Sequence, residues 1–101
     1  MKWLWTWSGE CFGYREGDDL WTYSGKHVGQ FFGDEVYGSD GRYLGEIMDQ
    51  EFLITNTGKS SWAQSAFTPY GNRGGYAKYA SYAGYAMYTG HEDFPSPESF
   101  R

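Results

Sequence analysis

Residues 5–20 read WTWSGECFGYREGDDL, residues 21–36 WTYSGKHVGQFFGDEV and residues 37–52 YGSDGRYLGEIMDQEF, and the three stretches align without a gap. Their first positions are Trp5, Trp21 and Tyr37. Their fifth are Gly9, Gly25 and Gly41, each preceded by Ser8, Ser24 or Asp40. The eighth are Phe12, Val28 and Leu44, the ninth Gly13, Gly29 and Gly45, and the units close on Leu20, Val36 and Phe52. A fixed sixteen-residue period marks an array of supersecondary units, none of which can bury its own apolar face alone.

Each unit reads as a β-hairpin. Ser-Gly or Asp-Gly between two aromatic-rich runs is a tight-turn signal, because glycine reaches positive φ at little cost. Glycine inside the second run marks a bulge, a bend or a close approach. We expect a bulky ring from a neighbouring strand to cover it. Gly17-Asp18-Asp19, Gly33-Asp34-Glu35 and Asp49-Gln50-Glu51 supply the turn into the next unit. A degenerate fourth unit follows at Leu53–Lys59, its glycine displaced by one residue. The chain is predicted to be mainly β, a pseudo-symmetric closed assembly of short hairpins spanning residues 1–68, with residues 69–101 as a Gly/Tyr/Ala-rich segment packed on it or mobile.

The totals agree with this reading. Aromatic residues make up 22% of the 101 residues, so Trp, Tyr and Phe must supply most of a modest core. Trp5, Trp7, Trp21, Tyr23 and Tyr37 are assigned to it. The net charge of −5, with eight scattered basic residues, argues against nucleic acid and anionic membrane surfaces. Cys11, the one cysteine, allows no intrachain disulfide and is expected as a small hydrophobe in a strand. Without a targeting signal or a membrane-length apolar run, a soluble cytoplasmic protein is expected.

The Trp/Tyr-x-x-(Ser/Asp)-Gly-x-x-hydrophobic-Gly units, most typically VYGSDGRYLGEI, resemble the 4-fold β-flower, a small bacterial domain of unassigned function. The likeness spans about residues 3 to 58 and implies hairpins arranged like petals around a pseudo-fourfold centre. A weaker resemblance is to the Gly-Arg-x-hydrophobic-Gly-Glu hairpins of PRC-barrel domains. Neither brings catalytic residues with it.

Chemistry-bearing constellations are few. His27 is expected to face solvent from a strand, and His91-Glu92-Asp93, on an extended chain, would alternate in direction rather than converge on one ion. Asp18, Asp19, Asp34, Glu35, Asp49 and Glu51 occupy equivalent turns, where a carboxylate ring could hold Ca²⁺; turn propensity explains them as well. No nucleophile elbow or phosphate-binding glycine loop is present. No enzyme, cofactor or metal site is expected.

Residues 74–90, GGYAKYASYAGYAMYTG, place Tyr76, Tyr79, Tyr82, Tyr85 and Tyr88 three apart. That period fits neither a strand nor an ideal α-helix. Polyproline II, a 3₁₀ run or a helix with a winding stripe could present it, and the alanines favour a helix over Tyr76–Tyr88. TPYGNRGG reads as a loop, and FPSPESFR as extended or frayed. These five tyrosines are the candidate interaction residues. Two functions follow: a structural or protein-interaction module, which could self-associate into a homo-oligomer, or a small ligand-binding domain that stacks aromatics on a glycan or peptide.

Overall fold

A computed structural model describes residues 1–100. The repeated runs form strands β1 (Lys2–Thr6), β2 (Cys11–Glu16), β3 (Asp19–Thr22), β4 (His27–Phe32), β5 (Glu35–Tyr37), β6 (Tyr43–Met48) and β7 (Phe52–Asn56). They make an antiparallel meander in sequence order. With an odd number of strands the first and last run the same way, and β1 pairs with β7 in parallel through Trp5↔Phe52 and Thr6↔Leu53. That pairing closes a seven-stranded barrel and leaves no open edge there. β8 (His91–Asp93) lies antiparallel along the remainder of β7, from Ile54↔Asp93 to Asn56↔His91.

Bulges interrupt the register at Leu4/Trp5, Leu20/Trp21 and Val36/Tyr37. An extra residue there bends the strand and increases its twist, which a small barrel needs at its corners. Leu4, Leu20, Val36 and Leu53 join Phe12, Val28, Phe31 and Phe94 in the interior. Trp5, Trp7, Cys11, Phe52 and Ile54 form a second cluster on the outer face, as the alternation of side chains along a strand requires.

Leu53 therefore takes the interior place expected for Phe52. The cause is the loop between β6 and β7, which has three residues (49–51), where the β2–β3 and β4–β5 loops have two (17–18 and 33–34). Asp49 and Gln50 adopt φ of 57° and 70° without being glycine. The insertion also accounts for the displaced Gly58. After β7 the chain enters a 3₁₀ turn, Thr57–Lys59, rather than another hairpin, and β8 supplies the missing partner strand.

The expectation that a ring covers each mid-strand glycine is corrected at two of the three. A side chain on Gly13 would meet the backbone of Trp21 and Thr22, and one on Gly29 would meet Val36 and the Tyr37 carbonyl, not a ring. Only Gly45 lies under an aromatic ring, that of Phe94, which follows β8. At Gly13 the obstacle is backbone alone, where a strand crossing closely leaves no room for Cβ, whereas at Gly29 and Gly45 a side chain and a neighbouring carbonyl share it.

The helix expected over Tyr76–Tyr88 does not form. Residues 64–88 are neither helix nor strand. The amides of Tyr76, Tyr82 and Tyr85 donate to barrel carbonyls instead of to residues four back, and Gly84 sits where a side chain would strike Ser8. Tertiary hydrogen bonds here override the helix propensity of alanine, which is worth only tenths of a kcal/mol per residue.

Candidate interaction surface

From residue 64 the chain runs back around the barrel as a strap. Gln64 N–H donates to the Gly41 carbonyl (2.8 Å) and Phe67 N–H to that of Ser39 (3.0 Å). Arg73 donates to Gly25 (2.7 Å) and Tyr76 to Tyr23 (2.8 Å); Tyr82 donates to Gly9 (2.9 Å) and Tyr85 to Trp7 (3.3 Å). The donors advance nine residues per hairpin (64, 73, 82 and 67, 76, 85), while the acceptors retreat sixteen (41, 25, 9 and 39, 23, 7). The strap thus visits the hairpins in reverse order and reaches β7 as β8.

Side chains follow the same steps. The Tyr82 ring packs on Trp5 (centroids 4.7 Å), the Arg73 guanidinium lies 3.7 Å over the Trp21 ring, and Gln64 hydrogen-bonds the Tyr37 hydroxyl. Tyr79 N–H reaches Cys11, a fully buried free thiol whose pKa is raised by burial and partly restrained by that hydrogen bond. Tyr70 N–H reaches the corresponding residue of the next hairpin, His27, at Nδ1 (3.0 Å).

His27 is accordingly buried, not solvent-facing. Its Nδ1 must be an unprotonated acceptor, because a backbone N–H can only donate. The proton therefore sits on Nε2, 2.8 Å from the Asp19 carboxylate. Trp21, Phe67 and Tyr70 all pack against the ring, and Trp21 and Tyr70 also stack with each other (6.3 Å).

The five candidate tyrosines are brought together along the outer face of β1. Trp3 meets Tyr76 and Tyr79 edge-on (5.5 and 4.6 Å). Trp5 meets Tyr79 and Tyr82, and Trp7 meets Tyr85 and Tyr88 (4.8 and 5.5 Å). The indole N–H groups of Trp5 and Trp7 donate to the carbonyls of Ala80 (3.0 Å) and Ala86 (3.1 Å). With the amides of Tyr76, Tyr82 and Tyr85 tied to barrel carbonyls, every third side chain of the strap meets the tryptophans of β1. Each tyrosine is between 47% and 53% exposed, so one part of each ring is anchored and the rest faces solvent.

The charged groups are largely engaged with one another. Lys59 Nζ bridges Glu35 (2.8 Å) and Glu46 (2.7 Å), which accept from the hydroxyls of Tyr37 and Tyr43. The Lys59 hydrogen bond holds the Glu35 carboxyl below its usual range, and both carboxylates hold Lys59 above its own. Burial pushes the Tyr43 phenol far up. Arg15 ties the turns together through Gly17, Gly33 and Asp18, and stacks over Phe31. It borders an open depression of about 500 Å³ that Asp34 and Asp49 also line. Among the described residues, no three His, Cys, Asp or Glu side chains converge to hold a metal ion. Nor is any helix long and apolar enough to cross a membrane.

Fold and strap together define a closed β-barrel bound round by its own residues 64–93. No protein-family model, curated protein or solved structure matches the chain.

Gln64, Phe67, Tyr70 and Arg73 escape a reading based on the tyrosine period. A nine-residue register finds them. Ala66-Phe67-x-x-Tyr70, Gly75-Tyr76-x-x-Tyr79 and Gly84-Tyr85-x-x-Tyr88 align at that spacing, hidden because nine is a multiple of three.

Proposed function

We propose that this chain is a non-catalytic protein-interaction module whose contact surface is the tyrosine row of the strap. The observation that carries this reading is the row itself: five half-exposed tyrosines backed by Trp3, Trp5 and Trp7 on a closed barrel. Rings fixed from behind lose little entropy on binding, and Tyr and Trp supply much of the energy at protein interfaces. The pairing of Lys59 with Glu35 and Glu46 and of Lys78 with Glu10 supports a framework role for these charges.

The architecture belongs to the same proposal. We read the hairpins as quasi-equivalent petals, β7 with β8 being the fourth, in keeping with the 4-fold β-flower resemblance. The spacing of the bulges and of the strap's hydrogen bonds supports it. A small-ligand reading uses the same surface, with a glycan or extended peptide laid across the row. The half-exposed Tyr85 hydroxyl, close to the Asp49 carboxylate, offers a polar group of the sort sugars use.

The test screens intact protein against peptide and glycan arrays, and against itself by light scattering. It then repeats each positive with Tyr79→Ser/Tyr85→Ser after circular dichroism has shown that variant to be folded. Binding lost in the variant supports the reading. Binding unchanged places the contact elsewhere and overturns it.

A further inference from the structure

The seventh position of the three repeats is occupied by Cys11, His27 and Tyr43. In the first two hairpins that side chain clasps the strap: Cys11 takes the Tyr79 N–H, and His27 Nδ1 takes the Tyr70 N–H at 3.0 Å. The two clasps differ in chemistry. Histidine ordinarily changes charge between about pH 5 and 8, whereas a thiol raised by burial stays neutral there. A proton on His27 Nδ1 occupies the lone pair that the Tyr70 amide needs, so protonation and docking exclude each other at that atom.

The surroundings decide what gives way. The His27 side chain is fully buried, with Nε2 2.8 Å from the Asp19 carboxylate on β3 and 3.1 Å from the Gly29 carbonyl on β4. Both acceptors remain for an imidazolium, so the buried charge is paired and hydrogen-bonded within the barrel. Phe67 and Tyr70 bring no charge from the strap, and Arg73, stacked on Trp21, is paired with Glu16. Lys26 and Asp40, of opposite sign, line an open hollow of about 300 Å³ that His27 borders. Only Nδ1 loses its partner.

The strap is also held less firmly over this hairpin than over the first. Trp5 Nε1 donates to the Ala80 carbonyl (3.0 Å). Sixteen residues on along the barrel and nine back along the strap, the matching pair is Trp21 and Gly71, yet the buried Trp21 Nε1 has no partner among the described residues. The flanking backbone anchors are Phe67 N–H on Ser39 and Arg73 N–H on Gly25. Between them, residues 68–72 rest on His27 and Trp21 through Tyr70, and Pro69 walls the hollow.

We propose that His27 is an acid-released latch: once protonated it keeps Asp19 and lets go of Tyr70, and residues 68–72 lift to open the hollow. The anchors at Phe67 and Arg73 and the clasp at Tyr79 hold. The inference rests on this cluster and is independent of what the tyrosine row binds. Proton and strap compete for one lone pair, so each weakens the hold of the other by the same factor.

Amide exchange of the intact chain between about pH 8 and 4.5 tests this, corrected for the intrinsic pH dependence of exchange and read beside the nitrogen shifts of the His27 imidazole. Protection at Tyr70 is expected to fall by about two- to ten-fold, the reach of one hydrogen bond, in step with His27 protonation. Tyr79 and Arg73 keep theirs. His27→Asn, whose Oδ1 can stand in for Nδ1 and does not titrate, holds Tyr70 protection constant over the range. Asp19→Asn removes the carboxylate that compensates the imidazolium and moves the opening to lower pH. Tyr70 protection that persists once His27 is protonated overturns the proposal. So does protection lost at Tyr70 and Tyr79 together, which is unfolding, or an opening that Asp19→Asn leaves where it was.

Discussion

The backbone nitrogen of Tyr82 donates to the carbonyl oxygen of Gly9 at 2.9 Å, and the Tyr82 carbonyl occupies the place where a Cβ on Gly9 would stand. Gly25 meets the carbonyl of Arg73, and Gly41 that of Gln64, in the same manner. The turn glycines are thus required twice: by φ of +99°, +95° and +84°, and by the strap passing over them.

Substitution separates the two requirements. Gly17 has φ +61° with nothing near its missing side chain, so Gly17→Ala should cost about 1 to 2 kcal/mol, the left-handed penalty alone. Gly9→Ala also lifts the strap from Trp5 and Trp7. With about 0.5 to 1.5 kcal/mol lost per aromatic pair, the expected cost is about 3 kcal/mol or more. Denaturant unfolding of the two variants measures the difference, and equal costs would contradict a docked strap.

His27 offers a second handle on the strap. Its neutral ring should carry the proton on Nε2, visible in the nitrogen chemical shifts of the labelled imidazole. His27→Phe keeps the stacking with Trp21 and Tyr70 but leaves Tyr70 N–H and the Asp19 carboxylate without this partner. The Tyr70 amide is part-buried, so losing this acceptor should cost about 1 kcal/mol, the low end of the range for an orphaned donor. A variant as stable as the parent would show that the Tyr70 hydrogen bond is not made.

The Lys59 cluster gives stability a defined pH window. Glu35 is held below its ordinary value; its contribution is present above about pH 4.3 and is lost as pH falls through the lower folded value. Lys59 is held above its own; that contribution is present below about pH 10.4 and is lost as pH rises through the higher folded value. Both side chains are about a quarter exposed or less, and a discounted worth for the pair is roughly 0.5 to 1 kcal/mol. Lys59→Met should therefore melt lower than the parent between about pH 5 and 10 and approach it at both extremes. A constant offset at all pH values would show that the loss is packing alone.

The hairpins were legible in the sequence because turn glycines and aromatic alternation are local signals. Ser8-Gly9, Ser24-Gly25 and Asp40-Gly41 each lie in the turn between paired strands. Closure was expected from the repeat, but the parallel β1–β7 pairing that makes it was not legible, since Trp5 and Phe52 meet only once five intervening strands have curved. His27 was read as solvent-facing because nothing local announces that residues 67 and 70 will cover it. Phe94, in a proline-flanked stretch that reads as frayed, enters the core through β8, again a pairing decided at long range. The tyrosine period was visible but its meaning was not, because the nine-residue step appears only beside the acceptors it matches.

Amide hydrogen exchange across residues 64–88 tests the central claim most directly. The strapped barrel should protect Gln64, Phe67, Arg73, Tyr76, Tyr82 and Tyr85, with Tyr70 and Tyr79 held by side-chain acceptors, while the amides between them exchange quickly. Uniformly fast exchange through the segment would mean a tail free in solution. Continuous protection from Tyr79 to Tyr88 would mean a helix, and either result would contradict the account.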